Sequence, residues 1–313
     1  MNQQSYYMGF DVGGTKFAVS VGGIIDGEMK VVERQEVPTM SEPKATLEHF
    51  SALISEWKTK YDIRYAGISC GGPLDSKTGV IISTPNLPKG WHGFAIVDYV
   101  RQRFGLESAL ENDANACAVA EWRFGAGRGS QNMIFLTFGT GLGAGLILDG
   151  KLYSGANGNA GEVGHLRLAQ NGPVGYNKSG SAEGFCSGNG IRNLALLRAK
   201  EQGVPLDEKT TTKEIFVRAY KGDEFCQSIV RESSERFGET LSFLIDLFNP
   251  EIITAGGVFM RNYDLIMSYA QPIIERETLA ESRSVCKILP AKIGENVGDF
   301  AALAIAVGLE KKE

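Results

Sequence analysis

The chain opens on an apolar run, YYMGF, which passes through DVGGTK into FAVSVGGIIDGEMKVVERQ. Apolar alternation on either side of Asp26-Gly27 predicts successive antiparallel strands joined by a tight turn. Leu47, Phe50, Leu53, Ile54 and Trp57 then recur at helical spacing, with Ser41 as a cap and Pro43 in the first turn. YAGISC reads as a short buried strand ending in GGPLD. The irregular STPNLPKGWHGF leads to an amphipathic stretch, the strand LESALEN, and a helix opened by Asp113, ANACAVAEWRF, closed by Gly125. From NMIFLTF the opening theme returns as strand, Gly-rich loop (GTGLGAG) and strand (LILDGKLY), a weak internal repeat. Helical patterning dominates from Ile191 to about Phe248. EIITAGGV is a buried strand ending in two glycines, and NVGDFAALAIAVGL is an Ala-rich helix. Mixed β followed by alternating β and α predicts an α/β protein.

Composition narrows the class. At 313 residues and 43% hydrophobic content the chain can bury a large core and accommodate two domains. Its five cysteines are scattered without a CxxC, so neither a disulfide framework nor a zinc ribbon is indicated, and a reducing cytoplasm fits. MNQQSYYMGF has no charged and apolar leader pattern, and no run reaches membrane-span length, so neither export nor a membrane is expected. A net charge of -5 without Lys/Arg blocks argues against nucleic acid and leaves a small molecule as the expected partner.

Candidate chemistry sits in the glycine-rich segments. In DVGGTK, Gly13 and Gly14 after a strand let backbone N–H groups approach a phosphate, Thr15 and Lys16 can add donors, and Asp11 can order Mg²⁺ through its waters. The alternative is a tight hairpin whose glycines serve positive-φ positions. FGTGLGAGL contains GxGxG, but the dinucleotide fingerprint must open a helix and here a strand comes next. A second phosphate cradle or a Gly-rich hairpin remains. In ENDAN a helix cap needs only one of Asn112 and Asp113, which leaves the other for chemistry; a carboxylate there can accept the proton of an attacking hydroxyl. Glu162, His165 and Glu183 can be metal ligands, an acid/base set, hydrogen-bond partners of a polyhydroxyl ligand, or a polar surface loop.

Read in order, these motifs resemble the ROK family of bacterial sugar kinases and related repressors, over nearly the whole chain. DVGGTK (Asp11 to Lys16) is similar to its first phosphate motif, GISCGGPLD (Gly67 to Asp75) to its GxxxxGPxD turn, and ENDAN (Glu111 to Asn115) to its catalytic stretch. TFGTGLGAG (Thr137 to Gly145) is similar to the second phosphate motif, GEVGH (Gly161 to His165) to the sugar-binding and zinc signature, and AGGV (Ala255 to Val258) to the adenosine motif. The resemblance implies a two-domain actin-like ATPase (ribonuclease H-like) fold, with mixed sheets flanked by helices and the active site in the interdomain cleft. The expected domains are 1–117 with 297–313, and 118–296. It implies transfer of the γ-phosphoryl group of ATP to a hexose, the 6-hydroxyl of glucose first, with fructose, mannose, allose and N-acetylhexosamines behind it. Asp113 is the implied base. Gly72, Asn86, Asn112, Asp113, Glu162, His165 and Glu183 would meet the sugar; Asp11, Gly13, Gly14, Thr15, Lys16, Thr140, Gly141, Gly256 and Gly257 would meet ATP, with Mg²⁺.

One stretch departs from the family pattern. After GH the family continues C-x-C-G-x-x-G-C-x-E, and its histidine and three cysteines bind zinc; here the frame runs from Val174 to Glu183 with Val174, Tyr176 and Ser181 at the cysteine positions. His165 with a lone Cys186 cannot complete four ligands, so no zinc is expected. Tyr176, Val174, Ser179 and Ser181 are the candidates to orient His165 and Glu183 instead. The chain begins close to its first strand and has no basic recognition helix, so direct DNA binding is not expected; a non-catalytic sugar sensor is the alternative. A homodimer is expected from the resemblance.

Overall fold

The structure is a computed structural model that describes residues 5–310. Residues 1–4, where the expectation of no leader begins, and 311–313, the end of the expected first domain, lie outside the described residues. The chain divides into two compact units: Met1–Gly129 with Leu152–Ala160 and Glu295–Glu313, and Ser130–Lys151 with Gly161–Gly294. A boundary after 117 would cut the helix Asp113–Phe124. That helix stays whole in the first unit because its buried small face, Ala114, Ala116, Cys117, Ala118 and Ala120, packs against the C-terminal helix Val297–Glu310.

In the first unit β1 (Tyr6–Val12), β2 (Lys16–Ile25), β3 (Glu28–Pro38), β4 (Ile63–Cys70) and β5 (Glu107–Asn112) lie in the order β3-β2-β1-β4-β5. The β1-β2-β3 meander is antiparallel, and β4 is parallel to both β1 and β5. Asp26 and Gly27, both at positive φ (56° and 79°), form the turn between β2 and β3, as their sequence predicts. Alternation along β1 sends Met8, Phe10 and Val12 into one core with Ile54, Trp57, Val100 and Phe104, while Tyr7 on the opposite face meets Leu303, Ala306 and Val307. Helices therefore cover both faces.

The helix expected from Ser41 differs in detail. It begins at Pro43 with Glu42 at the cap position and breaks at Phe50 into Pro43–His49 and Ser51–Lys60. No side chain among the described residues caps it; Thr46, fully buried within the helix, instead ties it to the preceding chain, its Oγ1 accepting from the Met40 N–H (3.3 Å) and donating to the Glu42 carbonyl (3.2 Å).

A second sheet repeats the plan. β6 (Met133–Phe138), β7 (Leu142–Leu148), β8 (Lys151–Tyr153), β9 (Ile252–Ala255) and β10 (Lys287–Pro290) lie in the order β8-β7-β6-β9-β10, with β6 and β7 antiparallel and β9 parallel to β6 and β10. Asp149 and Gly150 turn the chain as Asp26 and Gly27 do, at φ 49° and 69°. Phe237 of the helix Glu224–Phe248 sits between Phe138 (ring centroids 5.1 Å apart) and Phe259 (5.3 Å), which seats the helical layer on this sheet. Among the described residues no helix is long and apolar enough to cross a membrane.

Candidate active site

Parallel strands end together, so the loops at their carboxyl ends are gathered at one edge of the sheet. In the first unit β1 delivers Asp11 and the loop Gly13-Gly14-Thr15, β4 delivers Gly71 and Gly72, and β5 delivers Asn112 and Asp113. The Gly13 N–H closes the hairpin on the Lys16 carbonyl at 3.0 Å, and the N–H groups of Gly14 and Thr15 make no hydrogen bond among the described residues. Two donors are left over for a ligand. Neither Gly13 nor Gly14 has a positive φ, so the hairpin alternative, in which they served such positions, is corrected. Gly14 is required by close approach: a Cβ would stand 2.1 Å from the Asn86 carbonyl oxygen, so the glycine fixes Asn86 beside the loop. Lys16, whose side chain is exposed, pairs with Glu36 at 2.9 Å, a contact weak enough at a surface to be exchanged for a ligand.

Asn112 is the cap of its helix, accepting from the N–H groups of Ala114 (3.0 Å) and Asn115 (3.3 Å). Asp113 is therefore released from that duty. Its Oδ1 accepts from Ala114 N–H at 2.8 Å, and the Asn112 side chain hydrogen-bonds to the same carboxyl. Its side chain reaches solvent, yet dense surrounding protein desolvates the carboxyl and pushes its pKa above the usual aspartate value. Gly72 lies against Asn112: a Cβ there would stand 3.5 Å from Nδ2. Sequence reasoning missed Glu111, whose Oε1 accepts from the Asn112 N–H (2.9 Å) and Asn115 Nδ2 (3.0 Å) and so locks the turn that presents Asp113.

Asp11 is in an adverse place for an anion. Burial, then Asp299, then Asp113 push its carboxyl up to about 6, and Arg34 offsets this only in part because its Nε is 2.7 Å from Asp299 Oδ2. A desolvated carboxylate without a cation of its own suits a hydrated divalent ion. Mg²⁺ therefore fits at Asp11.

In the second unit the same construction recurs after β6. The Gly139 N–H donates to the Gly141 carbonyl (3.1 Å), and the N–H groups of Thr140 and Gly141 have no partner among the described residues. Gly257, at φ 60°, approaches this loop so closely that a Cβ would be 2.1 Å from the Phe138 carbonyl oxygen; Gly256 precedes it, its N–H on the Leu136 carbonyl at 3.1 Å. Glu183 is fixed on the far side of the loop, its Oε2 accepting from Leu142 N–H at 3.1 Å. The turn Val163–His165 reaches it because Gly164 has no side chain: a Cβ would be 2.3 Å from the Leu142 carbonyl oxygen and 3.2 Å from the Glu183 Cβ. Nδ1 of His165 lies 3.5 Å from Oε2 of Glu162, and Nε2 has no hydrogen-bond partner among the described residues. Thr140, Gly141, Glu162, His165, Glu183, Gly256 and Gly257 are thus neighbours around β6 and β7.

Zinc does not fit this donor set. Val174, Tyr176 and Ser181 offer no thiolate, and the Cys186 thiol is fully buried against the Ser233 carbonyl at 3.5 Å, its pKa raised by that burial. Among the described residues no three His, Cys, Asp or Glu side chains are grouped to hold a metal ion. The frame is instead held by Ser181, whose Oγ accepts from Gly184 N–H (3.1 Å) at the start of the helix bearing Glu183 and donates to the Gly175 carbonyl (3.2 Å). Replacing this buried hydroxyl by S181A is expected to cost about 1–2 kcal/mol, read as a lowered thermal midpoint.

Two sheets of one strand order, each with a glycine hairpin after its first strand, define the actin-like ATPase fold. The chain belongs to the ROK family, whose sequence model matches residues 7–308. It is 30% identical over 311 residues to a glucokinase of Streptomyces coelicolor, covering 96% of each chain. The structure of a ROK family glucokinase from Streptomyces griseus, in complex with glucose and AMPPNP, is 29% identical with a TM-score of 0.75, over 97% of this chain and 99% of that one. A ROK family transcriptional regulator, a homologue of the Escherichia coli MLC protein, shares the fold with a TM-score of 0.83 at 20% identity, over 96% of this chain and 77% of that one.

Proposed function

We propose that this protein is an ATP-dependent hexose kinase, with glucose its first substrate, and that the two units are its domains. The observation that carries the reading is the division of labour at the start of Asp113–Phe124: Asn112 caps the helix, and the Asp113 carboxyl, not needed as the cap, is presented at the end of a parallel strand. Kinship to a glucokinase bound to glucose and AMPPNP supports it. Asp113 accepts the proton of the attacking 6-hydroxyl, and its raised pKa makes it a better proton acceptor than an ordinary carboxylate. Asn86, Asn112 and Gly72 in the first unit, with Glu162, His165 and Glu183 in the second, orient the sugar through its hydroxyls. Free N–H groups of Gly14, Thr15, Thr140 and Gly141 bind phosphate oxygens without reorganising, Gly256 and Gly257 let the adenosine approach, and Lys16 exchanges Glu36 for the nucleotide. Mg²⁺ held through Asp11 would neutralise phosphate charge as it is transferred.

The test is ADP release from Mg²⁺-ATP with glucose, fructose, mannose, allose and N-acetylhexosamines in turn. Sugar-dependent ADP with glucose as the preferred acceptor is expected. Another preferred sugar would change the substrate and leave the reaction. Sugar-induced stabilisation without ADP from any of them would replace the enzyme by a sugar-sensing regulator.

A further inference from the structure

The segment that replaces the cysteine frame is a hairpin. Val174–Gly175 pairs antiparallel with Lys178–Ser179, and its two turn residues, Tyr176 and Asn177, both have positive φ (46° and 63°). Such a turn ordinarily takes Asn-Gly, and an aromatic residue at its first position is strained by its Cβ. The strain coincides with a contact. The Tyr176 ring stands edge-on to the His165 imidazole, centroids 4.8 Å apart and planes at 73°, and the Lys178 ammonium donates to the His165 carbonyl. Tyr176 and Val174 are both exposed (58% and 54%), and it is the Tyr176 ring that meets His165, whereas Ser181 fixes the helix of Glu183. Two of the three positions that carry cysteine in the family frame are thus occupied by groups that hold the same two polar residues by packing and hydrogen bonding.

We infer that the hairpin is a metal-free brace, in which Tyr176 and Lys178 are positioning residues for His165 and Ser181 is one for Glu183. This inference rests on the sugar-kinase reading for its kinetic consequence but not for the contact itself. A zinc ion would hold the imidazole through a bond to one ring nitrogen; here the imidazole is held by ring contact, which leaves Nε2 for a sugar hydroxyl.

The experiment compares the parent protein with Y176F, Y176A and K178M. The chain has three histidines, so the His165 imidazole signals can be assigned by NMR, and ring-current displacement reports the Tyr176 contact with no substrate present. Y176A is expected to shift the His165 ring signals and to raise the KM for sugar roughly 3- to 10-fold, the range for loss of an aromatic pair, with kcat and the KM for ATP within about twofold. Y176F keeps the ring, the His165 signals and the parental KM; K178M raises the sugar KM in the same sense. Metal analysis of the purified parent is expected to find no stoichiometric zinc. Unchanged His165 signals and sugar KM in Y176A, or one zinc ion per chain, would overturn the brace. Absence of sugar-dependent turnover in the parent would count against the kinase alone, because the His165 signals still decide the contact.

Discussion

Asp113→Asn is expected to lower kcat about 10²- to 10⁴-fold while sugar affinity stays within a small factor, since a positioned base contributes about that much to proton transfer. The substitution is close to isosteric. Asn112, not Asp113, satisfies the helix terminus, and an asparagine Oδ1 can still accept from Ala114 N–H, so the fold has no reason to change. What is lost is the basic carboxylate. In the parent protein the acidic limb of kcat/KM should fall at a higher pH than an ordinary aspartate near about 4 would give, because burial disfavours the charged form that the reaction requires. Steady-state kinetics with the sugar identified by ADP release measures both. Near-parental turnover in the variant would remove Asp113 from the base role.

Asp11→Asn should separate stability from activity. The folded carboxyl has a pKa of about 6 against 3.8 for the unperturbed group, so the folded state binds the proton more tightly than the unfolded chain. Below both values the group is protonated in both states and costs nothing; as pH rises from about 4 to about 6 stability falls, and above that the loss is constant. A shift of this size corresponds to at most about 3 kcal/mol. D11N should therefore raise the thermal midpoint of the unliganded protein by a few degrees at pH 7 and by much less at pH 4. Its sugar-dependent turnover should fall at least about tenfold, and Mg²⁺-nucleotide should stabilise it less than it stabilises the parent. Calorimetric melting at the two pH values, with and without Mg²⁺-ATP, measures this. A D11N protein no more stable than its parent at pH 7 would show that the carboxylate is not penalised, and the reason to place a cation there would be gone.

These two carboxylates differ in how they could be read from the sequence. Asp113 was legible because a helix start succeeds a strand and a second capping residue stands beside it. The crowding of Asp11 was not: Asp299, which raises its pKa, arrives from a helix 288 positions later in the chain. Glu111 was likewise invisible, because its work is done by hydrogen bonds at a turn whose geometry must be known first. The absence of a side-chain cap on the helix from Pro43, with Thr46 tying it to Met40 instead, was likewise not legible from local capping preferences.

The sequence by itself determined what depends on neighbours in the chain. Strand alternation, the Asp-Gly turns at 26–27 and 149–150, the glycine loops after β1 and β6, and the missing cysteines at 174, 176 and 181 are all local, since backbone conformation and residue chemistry act over a few residues. Tertiary structure alone decided which glycine admits which carbonyl, why Gly14 abuts Asn86 and Gly164 abuts Leu142, and that Tyr176 meets His165. Those choices are contacts between segments distant in sequence or turned by strained backbone, and close packing permits them only once the sheets have set the positions of the loops.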